Sequence, residues 1–232
     1  MREFNIFGYE VSSYWTMLVI ASVLTTAMSV LRAKRYSFGK TRSEIISILL
    51  IFYGCVGAKL LFILEHPNST FSLRGGMSLF GSVYFIPIAL GITVPLVKVK
   101  YACCMDFVAL YGPLIFAFMR IGCYLNGCCG GRDIAFLPPV QLIECILDIM
   151  IFFLLLFYEN NKSSPGYGKQ YPIFMVCYAL TRFVVEFMRD TPKDIFYLSE
   201  GQWLSVITFV LGVGILYFIK AKKENYRNEV LL

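Results

Sequence analysis

Several charged residues fall inside stretches of this chain that are otherwise apolar. Lys59 and Arg120 lie late in two such runs, Gln141 and Glu144 open a third, and Asp148 sits near its middle. Tyr178, Arg182, Glu186 and Arg189 follow in another at spacings of four, four and three, which places them on one helical face. An ionised side chain at the centre of a hydrocarbon layer costs about 2.5–3.5 kcal/mol on insertion scales, so each one needs a partner, a cavity or a task. The chemistry this set suits is anion binding. Guanidinium is a permanently charged fork that holds phosphate through two N–H groups, so Arg120 and Arg182 are the candidate ligands of a phospholipid head group. The plainer alternative is a set of structural ion pairs, such as Arg182 with Glu186 and Glu144 with a neighbouring cation. Two arginines and a lysine in one leaflet are more cation than fixing a helix register requires.

Two glycine-rich links stand near these residues: Gly75-Gly76-Met77-Ser78, and Asn126-Gly127-Cys128-Cys129-Gly130-Gly131-Arg132. Glycine lets the chain bend sharply and bring backbone N–H groups close to an anion, although the same residues also make ordinary tight turns. Of the eight cysteines, Cys123, Cys128 and Cys129 lie close together in sequence. They could be a redox pair, an acylated or acceptor thiol, or apolar packing. With no Cys-x-x-Cys and a single histidine, a zinc site would have to be nearly all thiolate, and no metal or cofactor is expected. His66, before Pro67, reads as a solvated loop residue able to carry a proton near neutral pH.

The elements that must position these groups are membrane helices. The chain has 232 residues, 58% hydrophobic and 16% charged, with a mean hydropathy of +0.68, too apolar for a soluble domain. Apolar runs of roughly 18 to 22 residues, enough to cross about 30 Å of hydrocarbon, start near Tyr14, Glu44, Leu79, Met105, Pro139, Tyr171 and Gln202. The expected fold is therefore all-α: a single membrane domain over residues 1–232 with seven spans and no internal repeat. The first span reads as an uncleaved signal anchor. Arg32, Lys34, Arg35, Lys40, Arg42, Lys98, Lys100, Lys162, Lys169, Lys220, Lys222, Lys223 and Arg227 all fall on one side of such a bundle. The positive-inside rule puts that side in the cytoplasm, the C-terminus with it and the N-terminus outside. The net charge of +6 is thus dispersed in loops, which speaks for orientation and against nucleic acid as a partner. In this arrangement most of the intramembrane charges open to one outer-leaflet chamber, while Asp106 stands apart at the cytoplasmic end of the fourth span.

These segments resemble the bacterial prolipoprotein diacylglyceryl transferase family from about Tyr14 to Leu204. The resemblance is carried by Gly75-Gly76-Met77-Ser78, by Arg120-Ile121-Gly122 through Asn126-Gly127 to Gly131-Arg132, by Pro139-Val140-Gln141-Leu142-Ile143-Glu144 and by Arg182 to Arg189. Fainter echoes are Gly57-Ala58-Lys59-Leu60 and Leu198 to Ser205. It implies seven spans with the N-terminus outside in the bacterial plasma membrane. It also implies transfer of a diacylglyceryl group from phosphatidylglycerol to the lipobox cysteine of a prolipoprotein, with release of glycerol phosphate. In that reading Arg120 and Arg182 hold the phosphate and stabilise the leaving group. Asn126, Gly131, Gly75, Gly76 and Ser78 shape the head-group pocket, Tyr14 matches a functional tyrosine of the first span, and Glu144, Glu186 and Arg189 hold Arg182. Three positions depart from the pattern: Phe80 stands where the family has a histidine suited to deprotonate the thiol, Cys123 replaces an asparagine, and Cys128 a glutamate. Two other functions fit the same residues: a non-catalytic or differently specific phospholipid binder, and a thiol redox protein using the outer cysteines.

Overall fold

In a computed structural model the protein is described for residues 3–6, 9–36, 39–67, 76–132, 137–161, 168–193 and 196–230, with side chains from Ser12 to Ala221. The helices are α1 (Ser13–Arg32), α2 (Lys40–Glu65), α3 (Leu79–Val97), α4 (Tyr101–Asn126), α5 (Val140–Asn160), α6 (Gln170–Val185) and α7 (Glu200–Val230). Each begins within a few residues of an expected apolar run, and among the described residues seven segments are long and apolar enough to cross a membrane. One element was not expected. An antiparallel hairpin, β1 (Glu3–Ile6) and β2 (Tyr9–Ser12), precedes α1 with Glu3 opposite Ser12. Strands this short show too little alternation to be read from sequence.

The centre of the bundle is α4. Its Cys104, Phe107, Ala109 and Leu110 are fully buried, and α1, α5 and α6 pack around it. Around the outside, Val19, Phe52, Ile92, Phe153 and Val210 are exposed, as an apolar belt facing lipid requires. The helices α2 and α3 cross at Gly57 and Gly81, where a Cβ on Gly81 would stand 2.1 Å from the Gly57 carbonyl oxygen. Only glycine permits that approach.

Two polar anchors lie away from the glycine-rich links. Asp106, from α4, accepts the backbone N–H groups of Gly168 (2.9 Å) and Gln170 (2.8 Å), and so caps the start of α6. This gives the outlying acid a structural role. At the far end of α5, the fully buried Glu159 takes Arg32 (2.7 Å), Arg35 (2.8 Å) and the Tyr36 hydroxyl (2.6 Å), tying the end of α1 to α5.

The sixth span differs from its expected form. The helix ends at Val185, a 3-10 turn takes Glu186–Met188, and Arg189 is already extended. Tyr178, Arg182, Glu186 and Arg189 therefore do not share one continuous α-helical face. The tighter turn nevertheless returns Arg189 to the same acid that Arg182 reaches.

Candidate active site

Glu144, one turn into α5, is the acid on which the cationic groups converge. Its Oε1 lies 3.1 Å from Arg120 Nη2 and 2.8 Å from Arg182 Nη1, and its Oε2 lies 3.3 Å from Arg189 Nη2. Arg182 turns its other nitrogen to Glu186 Oε2 at 2.8 Å. Glu186 is held in turn by hydroxyls of Thr191 (2.8 Å) and Ser199 (3.0 Å), both on Oε1. Three helices thus contribute one arginine or glutamate each to a chain of ion pairs, with hydrogen bonds from Arg182 and Arg189 to Glu144, and the 3-10 turn closes it. Such bonds fix guanidinium planes, and fixed planes are what bidentate recognition of phosphate needs.

The arginines are paired, as the structural alternative requires, yet they also face a space. A cavity of about 500 Å³ is lined by Arg120, Arg182, Arg189, Glu186, Ser78 and Cys129, with Phe80 and Tyr178 among its other walls. Beside it the Nε of Arg120 and the hydroxyl of Tyr178, both buried, have no hydrogen-bond partner. Buried donors left this way normally meet a ligand or water. Phe80 packs edge-on against Tyr178 at 5.4 Å and presents a ring incapable of taking a proton. An adjoining cavity is almost wholly apolar, lined by Tyr14, Gly54, Val83 and Phe116, and it shares Met77 and Leu79 with the polar one.

The remaining expected site residues act at one remove. Tyr14 donates to the sulfur of Met77 at 3.4 Å, bracing the segment that enters α3. The backbone of that segment is tied by Ser78 N–H to Ala58 O (3.0 Å) and by Lys59 Nζ to Gly76 O (3.4 Å). A Cβ on Gly76 would fall within 3.0 Å of the Phe62 ring, so this glycine permits a packing contact. Gly75 lies outside the described residues. Ser78 does line the cavity, and its hydroxyl bonds Glu65 at 3.0 Å. Gly131 allows its loop to run against the turn after α6: Arg132 N–H reaches Met188 O at 2.9 Å, and a Cβ on Gly131 would stand 2.4 Å from that oxygen. Asn126 faces Cys128, with Nδ2 3.7 Å from its sulfur.

Other cavity residues carried no site assignment in the sequence. Glu65, His66, Thr191, Ser199 and Glu200 line it, and His66 stacks on Phe62 at 4.6 Å at its rim. The echo around Leu198 to Ser205 was the available signal for Ser199 and Glu200. Gly201 sits against the Glu186 carboxylate, where a Cβ would lie 2.9 Å away. The cysteines hold a further arrangement that spacing did not reveal. The sulfurs of Cys123, Cys128 and Cys129 all lie within 4.8 Å of one another. Hydrogen bonds from the other two thiols, and then the charges of Arg189 and Arg120, pull the Cys129 thiol well below the usual thiol range.

Residues 3–218 fit the family model described as prolipoprotein diacylglyceryl transferase. The chain is 30% identical over 253 residues to phosphatidylglycerol–prolipoprotein diacylglyceryl transferase 2 of Clostridium perfringens, covering 95% of this chain and 96% of that protein. It is 31% identical to the phosphatidylglycerol–prolipoprotein diacylglyceryl transferase of Campylobacter hominis over 97% of this chain and 92% of the relative. With that of Clostridium tetani the identity is 24%, over 95% and 98%. A match over nearly the whole length, joined to seven apolar helices around a buried arginine cluster, means that the chain belongs to the prolipoprotein diacylglyceryl transferase family.

Proposed function

We propose that the protein transfers the diacylglyceryl group of phosphatidylglycerol to the lipobox cysteine thiol of a prolipoprotein. The observation that carries this reading is the convergence of Arg120, Arg182 and Arg189 on the lining of one cavity, next to a small apolar pocket. The phosphate sits against Arg120 and Arg182, the latter oriented by Glu144 and Glu186. The acceptor thiol gives its proton to water in the cavity, its sulfur attacks the phosphate-bearing carbon of the diacylglyceryl unit, the C–O bond from that carbon to the phosphate breaks, and glycerol phosphate leaves with the charge. Arginines already held in place stabilise the developing charge without reorganisation, which is where such a site gains rate. Asn126, Gly76 and Gly131 act from outside the cavity lining, by holding the loops that carry Cys128, Ser78 and Arg132.

The basic loops support a multi-pass arrangement in a bacterial plasma membrane with the N-terminus outside and the site open to the outer leaflet. Both substrates then arrive from the bilayer. A second reading, phospholipid binding without turnover, is favoured by Phe80, because a phenyl wall offers no base for the thiol. Mass spectrometry of a lipobox peptide incubated with purified protein and phosphatidylglycerol separates the two. A diacylglyceryl mass gain in wild type, lowered about 10²–10³-fold in Arg120→Lys or Arg182→Lys, is the expected result. No gain, with phosphatidylglycerol still bound, leaves the binder; full activity in both variants removes the arginine mechanism.

A further inference from the structure

Cys123 lies in the last turn of α4, one turn beyond Arg120, and its position is fixed by the helix. Cys128 and Cys129 follow a left-handed cap at Gly127 (φ 69°), and Cys129 is itself left-handed (φ 58°), which folds the segment back over the helix end. Cys128 N–H bonds Cys123 O at 3.0 Å, Gln141 Nε2 bonds Cys128 O at 2.9 Å, and Arg189 Nη2 bonds Cys129 O at 3.1 Å. Each part of the turn is thereby pinned to a different helix or loop, with all three sulfurs on one side and Cys129 on the cavity wall.

We propose that Cys123, Cys128 and Cys129 form a tris-thiolate site for a zinc-type cation, whose remaining coordination position faces the polar cavity and takes the acceptor thiol. Sulfurs around tetrahedral zinc, with Zn–S of about 2.3 Å, stand roughly 3.8 Å apart. Sulfurs already within 4.8 Å of one another close to that separation by small side-chain rotations. Three soft thiolates select zinc-like cations over oxygen-seeking calcium or magnesium. The charges agree as well: three thiolates and a divalent cation sum to one negative charge, placed beside Arg120 and Arg189. The Asn126 amide at the Cys128 sulfur is the outer-shell donor that thiolate ligands commonly have.

The acceptor part of this inference rests on the transferase reading. A thiol that binds the cation gives up its S–H proton to cavity water, and the bound sulfur then makes the C–S bond as the C–O bond to phosphate breaks. No electron is gained or lost. Coordination thus supplies what a base at position 80 would otherwise do.

The test uses the full chain in detergent, stripped with a chelator under reductant and titrated with cobalt(II). An equimolar thiolate-to-cobalt charge-transfer band with intense visible bands of tetrahedral cobalt, abolished by zinc, is expected. Cys123→Ser, Cys128→Ser and Cys129→Ser lose or weaken it, Asn126→Ala lowers metal affinity about 10–100-fold, and Cys145→Ser leaves it unchanged. Adding a lipobox cysteine peptide without lipid shifts the visible bands, whereas a serine peptide does not. Absence of the bands while thiol counting shows all three thiols reduced overturns the metal site. So does a Cys128–Cys129 or Cys123–Cys128 disulfide that persists through reduction. Bands that ignore the cysteine peptide overturn the acceptor position alone. Cobalt bands in a protein that yields no diacylglyceryl product remove the transferase reading and leave the metal site standing.

Discussion

Glu144 is the residue on which the site depends most, because one carboxylate with 5% of its side chain exposed serves three guanidinium groups. Removing one partner of a buried charge pair costs roughly 3–5 kcal/mol, since the partners left behind stay uncompensated. Glu144→Ala is therefore expected to lower thermal stability in detergent severely and to abolish transfer. Glu144→Gln, which keeps an acceptor oxygen, should recover much of the stability and little of the activity. A melting curve paired with the peptide mass assay reads both, and unchanged activity in Glu144→Gln would show that the arginines need no carboxylate to hold them. At this scale the sequence was legible wherever polarity contradicts its surroundings: Arg120, Glu144, Arg182 and Glu186 stand out because apolar neighbours make them costly. Gly76 and Gly131 were legible as glycines but not in their roles, since the Phe62 ring and the Met188 carbonyl that require them come from other elements. The cysteine cluster was hidden for a similar reason. Its sulfurs meet through a left-handed turn, and no ligand spacing in the chain announces it.

The elements were readable from hydropathy, yet what sets their angles and ends was not. The α2–α3 crossing depends on Gly57 and Gly81 in direct backbone contact. Gly81→Ala is expected to force the helices apart at a cost of about 1–3 kcal/mol, visible as a lower melting temperature. Because α3 starts beside Ser78, weaker lipid binding should accompany it; a wild-type melting curve would mean the crossing relaxes freely. Asp106 offers a second test. It caps α6 from another helix, a tertiary contact that leaves no local signature before Gln170. Hydrogen bonds to a charged group contribute about 1.5–3 kcal/mol, so Asp106→Ala should destabilise the bundle by that order. Asp106→Asn, still able to accept one bond, should cost less, and equal melting of the two variants would deny the cap its role. The end of α6 was misread in sequence because spacings of four, four and three fit an α-helix, and only packing shows the 3-10 turn at Glu186–Met188.

For the whole molecule, the two polar clusters lie at opposite ends of α5. Glu144 and Glu159 are fifteen residues apart on one helix, or roughly 22 Å at 1.5 Å per residue. That separation spans much of a hydrocarbon layer, and the orientation proposed above would put the Glu144 cluster in the outer leaflet and the Glu159 cluster at the cytoplasmic end. A reporter fused after Leu232 tests this orientation: green fluorescent protein should fluoresce there and alkaline phosphatase stay inactive, and the reverse pattern would invert the bundle. The Glu159 clamp then asks whether stability and chemistry are separable. Its acid is fully buried, but Arg32 and Arg35 are 25% and 31% exposed and can turn to water when it is lost. Glu159→Gln should therefore cost about 1–3 kcal/mol, below the figure for a fully enclosed pair. Because the clamp's hydrogen bonds and ion pairs among the described residues include none to the cavity lining, the transfer rate per folded molecule should stay at the wild-type value while the melting temperature falls. If the rate falls with stability, the two ends of α5 are mechanically coupled, and the Glu159 clamp has to be counted among the parts that set the geometry of Glu144.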